Sequence, residues 1–133
     1  MKIKKNYLVI GIILAVLLVL GWIAIRFIVG GSEDNWIKDE KGVWVKHGNP
    51  SETPDYVVEQ QEAINCALDK FQNFEEEFNS QCLGTCFDYA VDIVHVPRNA
   101  EDDKTENQCE AYRQGIVSHF IELDKNGEIV RIV

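Results

Sequence analysis

The chain has few of the residues from which familiar active sites are built. Three histidines occur in 133 residues, and none of them opens an H-E-x-x-H zinc motif. There is no G-x-S-x-G nucleophile elbow, no glycine-rich loop to cradle phosphate and no C-x-x-C pair. Those absences exclude zincin proteolysis, hydrolase-elbow acyl transfer, P-loop nucleotide chemistry and thioredoxin-like exchange as motif-based readings. Positive charge is scarce as well, with 13 Lys and Arg against 22 Asp and Glu and a net charge of −9. Such an excess repels phosphate backbones and anionic lipid headgroups, so neither nucleic acid nor polybasic membrane docking is expected. No catalytic, cofactor-binding or metal-binding residue set emerges.

One apolar run dominates what is present. Residues 7–29, YLVIGIILAVLLVLGWIAIRFIV, carry no charge from Tyr7 through Ile25. About 20 apolar residues at roughly 1.5 Å each match the hydrocarbon thickness of a bilayer, so the run predicts one transmembrane helix. It is longer than the roughly 7 to 15 residues of a secretory h-region and lacks an A-x-A cleavage site. An uncleaved signal anchor is therefore expected, with cleavage after the glycines at 30 and 31 as the alternative. Lys2, Lys4 and Lys5 precede the run, and the positive-inside bias keeps such a cluster in the cytoplasm. Nine basic and all 22 acidic residues follow Gly30, giving that part a net charge of −13. The expected layout is a cytoplasmic basic segment over 1–6, the anchor over 7–29, a polar joint over 30–35 and an extracytoplasmic domain over 36–133. Arg26 and Trp22 are suited to the outer headgroup region.

All four cysteines, Cys66, Cys82, Cys86 and Cys109, fall in the outer part, where an even number reads first as two disulfides. Zinc is the alternative, weakened by the three-residue gap between Cys82 and Cys86.

Around Trp36 and Trp44, two β-prone segments flank the polar turn DEKG and predict a short hairpin. The tryptophans differ by an even number and can share a face, packing over the core or, as the sharper reading, forming a carbohydrate or lipid platform. This stretch, NWI followed by GVWVKHGNPS, resembles a segment found just after the anchor in small single-span archaeal membrane proteins with no assigned activity. Many of those have a cysteine directly after Trp-Ile and another after the proline-bearing stretch. Here Lys38 stands at the first place and no cysteine lies near the second. The resemblance covers about the first twenty residues of the outer domain and more loosely its C-terminal part, and implies topology and compartment only.

A helix is predicted from Thr53 as N-cap, with Pro54 at its first position and Asp55 in its first turn. Its apolar stripe is Val57, Ile64, Ala67, Leu68, Phe71, Phe74 and Phe78, and it is expected to run to about Asn79. Glu75, Glu76 and Glu77 read as a solvated face. The segment FDYAVDIVHV over 87–96 alternates, placing Phe87, Tyr89, Val91, Ile93 and His95 on one face and Asp88 and Asp92 on the other. A polar loop follows; its acids Glu101, Asp102, Asp103 and Glu106 lack the order of a known calcium loop. The chain returns as GIVSHFIEL, turns at Asn126 and Gly127, and ends as EIVRIV. The expected fold is α+β: the transmembrane helix, then a small domain with a short hairpin and one long helix packed on a three-stranded antiparallel sheet.

If that long helix runs antiparallel to the 87–96 strand, Cys82 and Cys86 lie together at one end and Cys109 at the other. Cys66 to Cys109 and Cys82 to Cys86 is then the expected pairing. His95 and His119 alternate inward on strands expected to be neighbours, and read as structural histidines or as the makings of a small His-based site. Three function classes follow. The first is a membrane-tethered interaction or binding domain of the cell envelope, anchored in the bilayer through residues 7–29 and with a protein partner in the membrane or envelope. The second is an assembly subunit, pilin-like or part of a membrane complex, although glycines and a hairpin interrupt where a pilin helix would continue. The third is a small extracytoplasmic enzyme using His95 and His119.

Overall fold

The computed structural model describes residues 2–29, 33–74 and 81–133, with the side chains of the first helix described from Tyr7 to Ile28. Expectations for the joint residues 30–32, for Glu75, Glu76 and Glu77, and for Phe78 and Asn79 lie outside the described residues. The chain forms two compact units, Met1–Trp36 with Lys46–Glu52 and Ile37–Val45 with Thr53–Val133.

The first unit carries helix α1, Lys2–Val29, and Tyr7–Ile28 is long and apolar enough to cross a membrane. Its described side chains are exposed throughout, Ile28 to 78% and Leu18 to 74%. Near its end the Arg26 guanidinium pairs with Asp34 at 2.6 Å, and Asn49 Nδ2 donates to the Phe27 carbonyl at 2.6 Å. Trp36 is buried, and its indole Nε1 donates to the Glu52 carbonyl at 3.0 Å.

The second unit is α+β, as expected, but its sheet differs from the expected one. Strands β1 (Asn35–Lys38) and β2 (Trp44–His47) pair as a two-stranded sheet, the predicted hairpin, of which Ile37–Val45 belongs to this unit. Asp39 builds its turn: Oδ1 accepts the backbone N–H of Lys41 and of Val43, both at 2.9 Å. Helix α2, Asp55–Gln72, is then followed by β3 (Cys82–Cys86), β4 (Tyr89–Ile93), α3 (Glu110–Arg113), β5 (His119–Leu123) and β6 (Ile129–Ile132). These strands form a four-stranded sheet in the order β3-β4-β5-β6.

The three-stranded antiparallel sheet is corrected in two ways. First, β4 and β5 run parallel, in register from Tyr89 opposite His119 to Ile93 opposite Leu123. Parallel neighbours need a crossover of roughly a dozen residues or more, and the polar stretch after β4 supplies it, so the long loop is the return path. Second, CLGTC is an edge strand that pairs antiparallel with β4. Its pattern is irregular because Gly84 sits at φ +108° within a register shift, which hides the period-2 signal. Helix α2 begins one residue later than expected, at Asp55, so that Thr53 is not its N-cap, and it ends earlier, at Gln72. Pro54 occupies the N-cap with no side-chain cap bond, and Asn73 stops the helix, its side-chain amide donating to the Asp69 carbonyl at 2.8 Å.

Alternate residues of the central strands divide between two faces. Tyr89, Val91, Ile121 and Leu123 pack with Ala63 and Ala67 of α2, whose small side chains let the helix approach the sheet closely. Ala90 and Phe120 pack instead with Cys109, Val117 and Ala111 of the crossover.

The expected disulfide pairing is overturned. Cys66 joins Cys86, with Cα atoms 5.9 Å apart, and Cys82 joins Cys109 at 4.8 Å. Cys82 and Cys86 lie on one strand, where four residues at roughly 3.3 Å each exceed the reach of about 7 Å for a disulfide. Cys109 is not at the far end, because the crossover comes back along the sheet and its backbone N–H reaches Asp92 Oδ1 at 3.1 Å.

Candidate functional site

The hairpin is fastened to α2 by one buried side chain. Gln60 Oε1 accepts the Trp44 backbone N–H at 2.8 Å, and its Nε2 donates to the Gly42 carbonyl at 3.0 Å. Gly42 is required here, since it adopts φ +83° and a Cβ would collide with the Ile132 carbonyl. The clip lays the Trp44 ring against Tyr56, one turn before Gln60, with centroids 4.8 Å apart and planes at 51°. Beside it the first registered pair of the parallel strands, Tyr89 and His119, stack at 5.0 Å and 28°. Together with Lys38, Glu59 and Asp88, these two ring pairs line a half-open groove of about 210 Å³.

Its electrostatics are acidic. Burial raises the Tyr89 hydroxyl pKa, and the carboxylates of Glu59 and Asp88 raise it further, against a hydrogen bond from Gln60. Asp88 Oδ1 accepts the Ser118 backbone N–H at 2.9 Å, which orients the carboxylate, while Oδ2 lies 3.9 Å from His119 Nε2. His119 Nδ1 donates to the Val133 carbonyl at 3.2 Å. The Lys38 ammonium lies over the Trp44 ring, 5.3 Å from its centroid.

A second polar cluster lies on the crossover side, around a cavity of about 200 Å³. Asp92 and Glu122 face each other in register on β4 and β5. Glu122 is held by Arg98 at 2.8 Å and by Arg131 at 3.0 Å, and Arg98 also reaches Asp103 at 3.2 Å. Burial pushes the Asp92 carboxyl up to about 6, with Glu122 adding to the rise and the Cys109 N–H and Arg98 opposing it. The cluster satisfies its own charges, which suits it to holding the crossover on the sheet. Asp92 Oδ also lies with the sulfurs of Cys82 and Cys109 within 4.8 Å, but those sulfurs are bonded to one another and are not thiolates.

Of the residues singled out from sequence, Trp44 and His119 come together in the aromatic groove. Trp36 belongs to the other unit, with its own indole bond and Lys46 over its ring at 5.6 Å. His95 and His119 are not brought together. His119 opens β5 opposite Tyr89, whereas His95 follows the other end of β4, and both are exposed rather than inward. His95 Nδ1 donates at 2.9 Å to Asp102, whose carboxylate also accepts from Gln81 Nε2 at 2.6 Å and the Asn99 N–H at 2.9 Å. Burial would raise the Asp102 pKa, but these bonds hold it well below the usual carboxylate range. The acidic loop is thus organised around a buried, fully partnered aspartate.

Sequence reasoning missed Tyr56, Glu59, Asp88 and Tyr89 as groove residues. Tyr56, Glu59 and Gln60 at i, i+3 and i+4 share one helix face, and that spacing was the available signal. Comparison with protein-family models, with curated proteins and with solved structures gives no match to this chain.

Proposed function

We propose that the protein is a single-span membrane protein with its N-terminus in the cytoplasm, whose α+β domain works outside the cell as a binding module of the envelope. The observation that carries this reading is α1, a helix apolar on every side and exposed along its described length. Such a surface is stable in hydrocarbon and unfavourable in water. The lysines ahead of it support the orientation. The two disulfides support an oxidising compartment for the domain. The resemblance of the NWI and GVWVKHGNPS stretch to single-span archaeal membrane proteins agrees with that placement. The aromatic, acidic groove supports a binding role, because rings and carboxylates converge on one concavity.

Protease added to intact cells tests the placement. Removal of residues 33–133, with a fragment containing α1 retained in the membrane, is the expected result. Full protection of the domain until the membrane is permeabilised would reverse the orientation.

A further inference from the structure

We propose that the groove between the hairpin and the first turns of α2 is a binding site for an organic ammonium ion. This deepens the binding-module reading and rests on it, since it names the ligand class of the same groove.

Three features converge on a cation. Aromatic rings form the walls, Trp44 with Tyr56 on one side and Tyr89, stacked on the His119 imidazole, on the other, and the faces of Trp and Tyr rings attract positive charge. Carboxylates stand beside them: Glu59 and Asp88 both act on Tyr89, and no arginine lines the groove. The third feature is an occupant: the protein already holds a cation there, the Lys38 ammonium over the Trp44 ring at 5.3 Å. Lys38 is exposed and lies at the end of a flexible chain, so it acts as a built-in occupant that an incoming ammonium displaces. A cavity of about 210 Å³ admits a small alkylammonium head. An anion meets two carboxylates against the single Lys38 ammonium, and a neutral ligand gains only ring contact.

The test uses the full chain in micelles of a non-ionic polyoxyethylene detergent at constant ionic strength. Butylammonium, tetramethylammonium and 1-butanol are titrated while the indole N–H resonance of Trp44, assigned with Trp44→Phe, is followed by NMR. Saturable shifts with the ammonium ions and none with butanol are expected. Lys38→Gln, which removes the competing ammonium, should tighten binding about threefold. Glu59→Gln combined with Asp88→Asn keeps the shape and the acceptor for Ser118, and should weaken binding about tenfold. A larger loss for butylammonium than for tetramethylammonium assigns the site to N–H-bearing amines that donate to the carboxylates. An equal loss assigns it to quaternary ammonium held by the rings. Butanol shifting Trp44 as strongly as butylammonium would overturn the proposal. So would the absence of any saturable shift in both the natural chain and Lys38→Gln when the remaining spectrum is unchanged. Either result, with the protease outcome intact, removes the ligand class and leaves the membrane placement standing.

Discussion

The two faces of the four-stranded sheet are built from alternate residues of the same central strands, yet they are closed in different ways. On the α2 face Val91, Ile121 and Leu123 are fully buried against helix alanines, so dispersion and the hydrophobic effect hold the cover. On the other face Ala90 and Phe120 make a small apolar patch, and Asp92, Glu122, Arg98 and Arg131 fill the rest. One disulfide serves each face. Cys66–Cys86 ties α2 to the edge strand, and Cys82–Cys109 ties the crossover to the same strand. A helix brings its own periodic apolar face, whereas a crossover with little secondary structure has none and depends on ion pairs and a covalent link.

That difference can be broken from either side. Leu123→Ala on the α2 face leaves a cavity in the main core and should cost about 2 to 5 kcal/mol, read as the loss of unfolding free energy in a denaturant titration. If the cost were under about 1 kcal/mol, the α2 face would not be the principal core. On the crossover face, replacing Cys82 and Cys109 together by Ala opens a loop of sequence separation 27. The chain-entropy relation puts the loss at about 3.5 kcal/mol. Native-state proteolysis should then cut first in the crossover and leave α2 protected. Peptide mapping without reduction should join Cys66 to Cys86 and Cys82 to Cys109, and a Cys82–Cys86 peptide would contradict the arrangement.

The smallest effect has the opposite sign. Asp92 titrates at about 6 in the folded protein, above the ordinary aspartate value of 3.8 that applies to the unfolded chain. Between those values the folded state binds more protons, so this group makes stability fall as pH rises from about 4 to about 6 and leaves a constant cost above that. Asp92→Asn keeps an oxygen for the Cys109 N–H and should raise stability at pH 8 by about 1 to 3 kcal/mol, with little effect at pH 4. Equal effects at both pH values would mean that Asp92 stays ionised throughout. The same substitution in the apolar α2 face has no counterpart, because that face buries no carboxylate among the described residues.

Legibility in the sequence followed the same division. The turn between β5 and β6 was plain: Gly127 adopts φ +79° and Asp124 accepts the N–H groups of Asn126 and Glu128, both at 2.8 Å. The helical stripe identified much of the α2 face as well: Val57 and Ala67 of that stripe are buried and Ile64, Leu68 and Phe71 pack beside the core, whereas Gln60 and Ala63, which complete the buried face, were not in it. The crossover face was not legible. Asp102 reads as one of several loop acids, and only burial and the four hydrogen bonds its carboxylate accepts, from Gln81, Asn99 and twice from His95, distinguish it from Asp103, which is exposed. His95 continues the alternation of β4 in sequence, but the strand stops at Ile93: the Val94 N–H still bonds the Leu123 carbonyl of β5, whereas the next N–H, that of His95, leaves the sheet for Asp102 Oδ1 at 3.1 Å.

The sequence by itself determined an apolar segment of spanning length, an acidic α+β domain, a hairpin around two tryptophans and two turns with their residues in place. These are short-range properties: hydropathy, period and turn chemistry act over a few residues and need no knowledge of distant neighbours. The tertiary structure alone decided that β4 and β5 run parallel, that Cys66 meets Cys86 and Cys82 meets Cys109, and that Trp44, Tyr56, Tyr89 and His119 share one groove. Each of these depends on the direction in which a long connection returns. That direction is set by which faces can be buried together, a property of the whole packed domain that no local window contains.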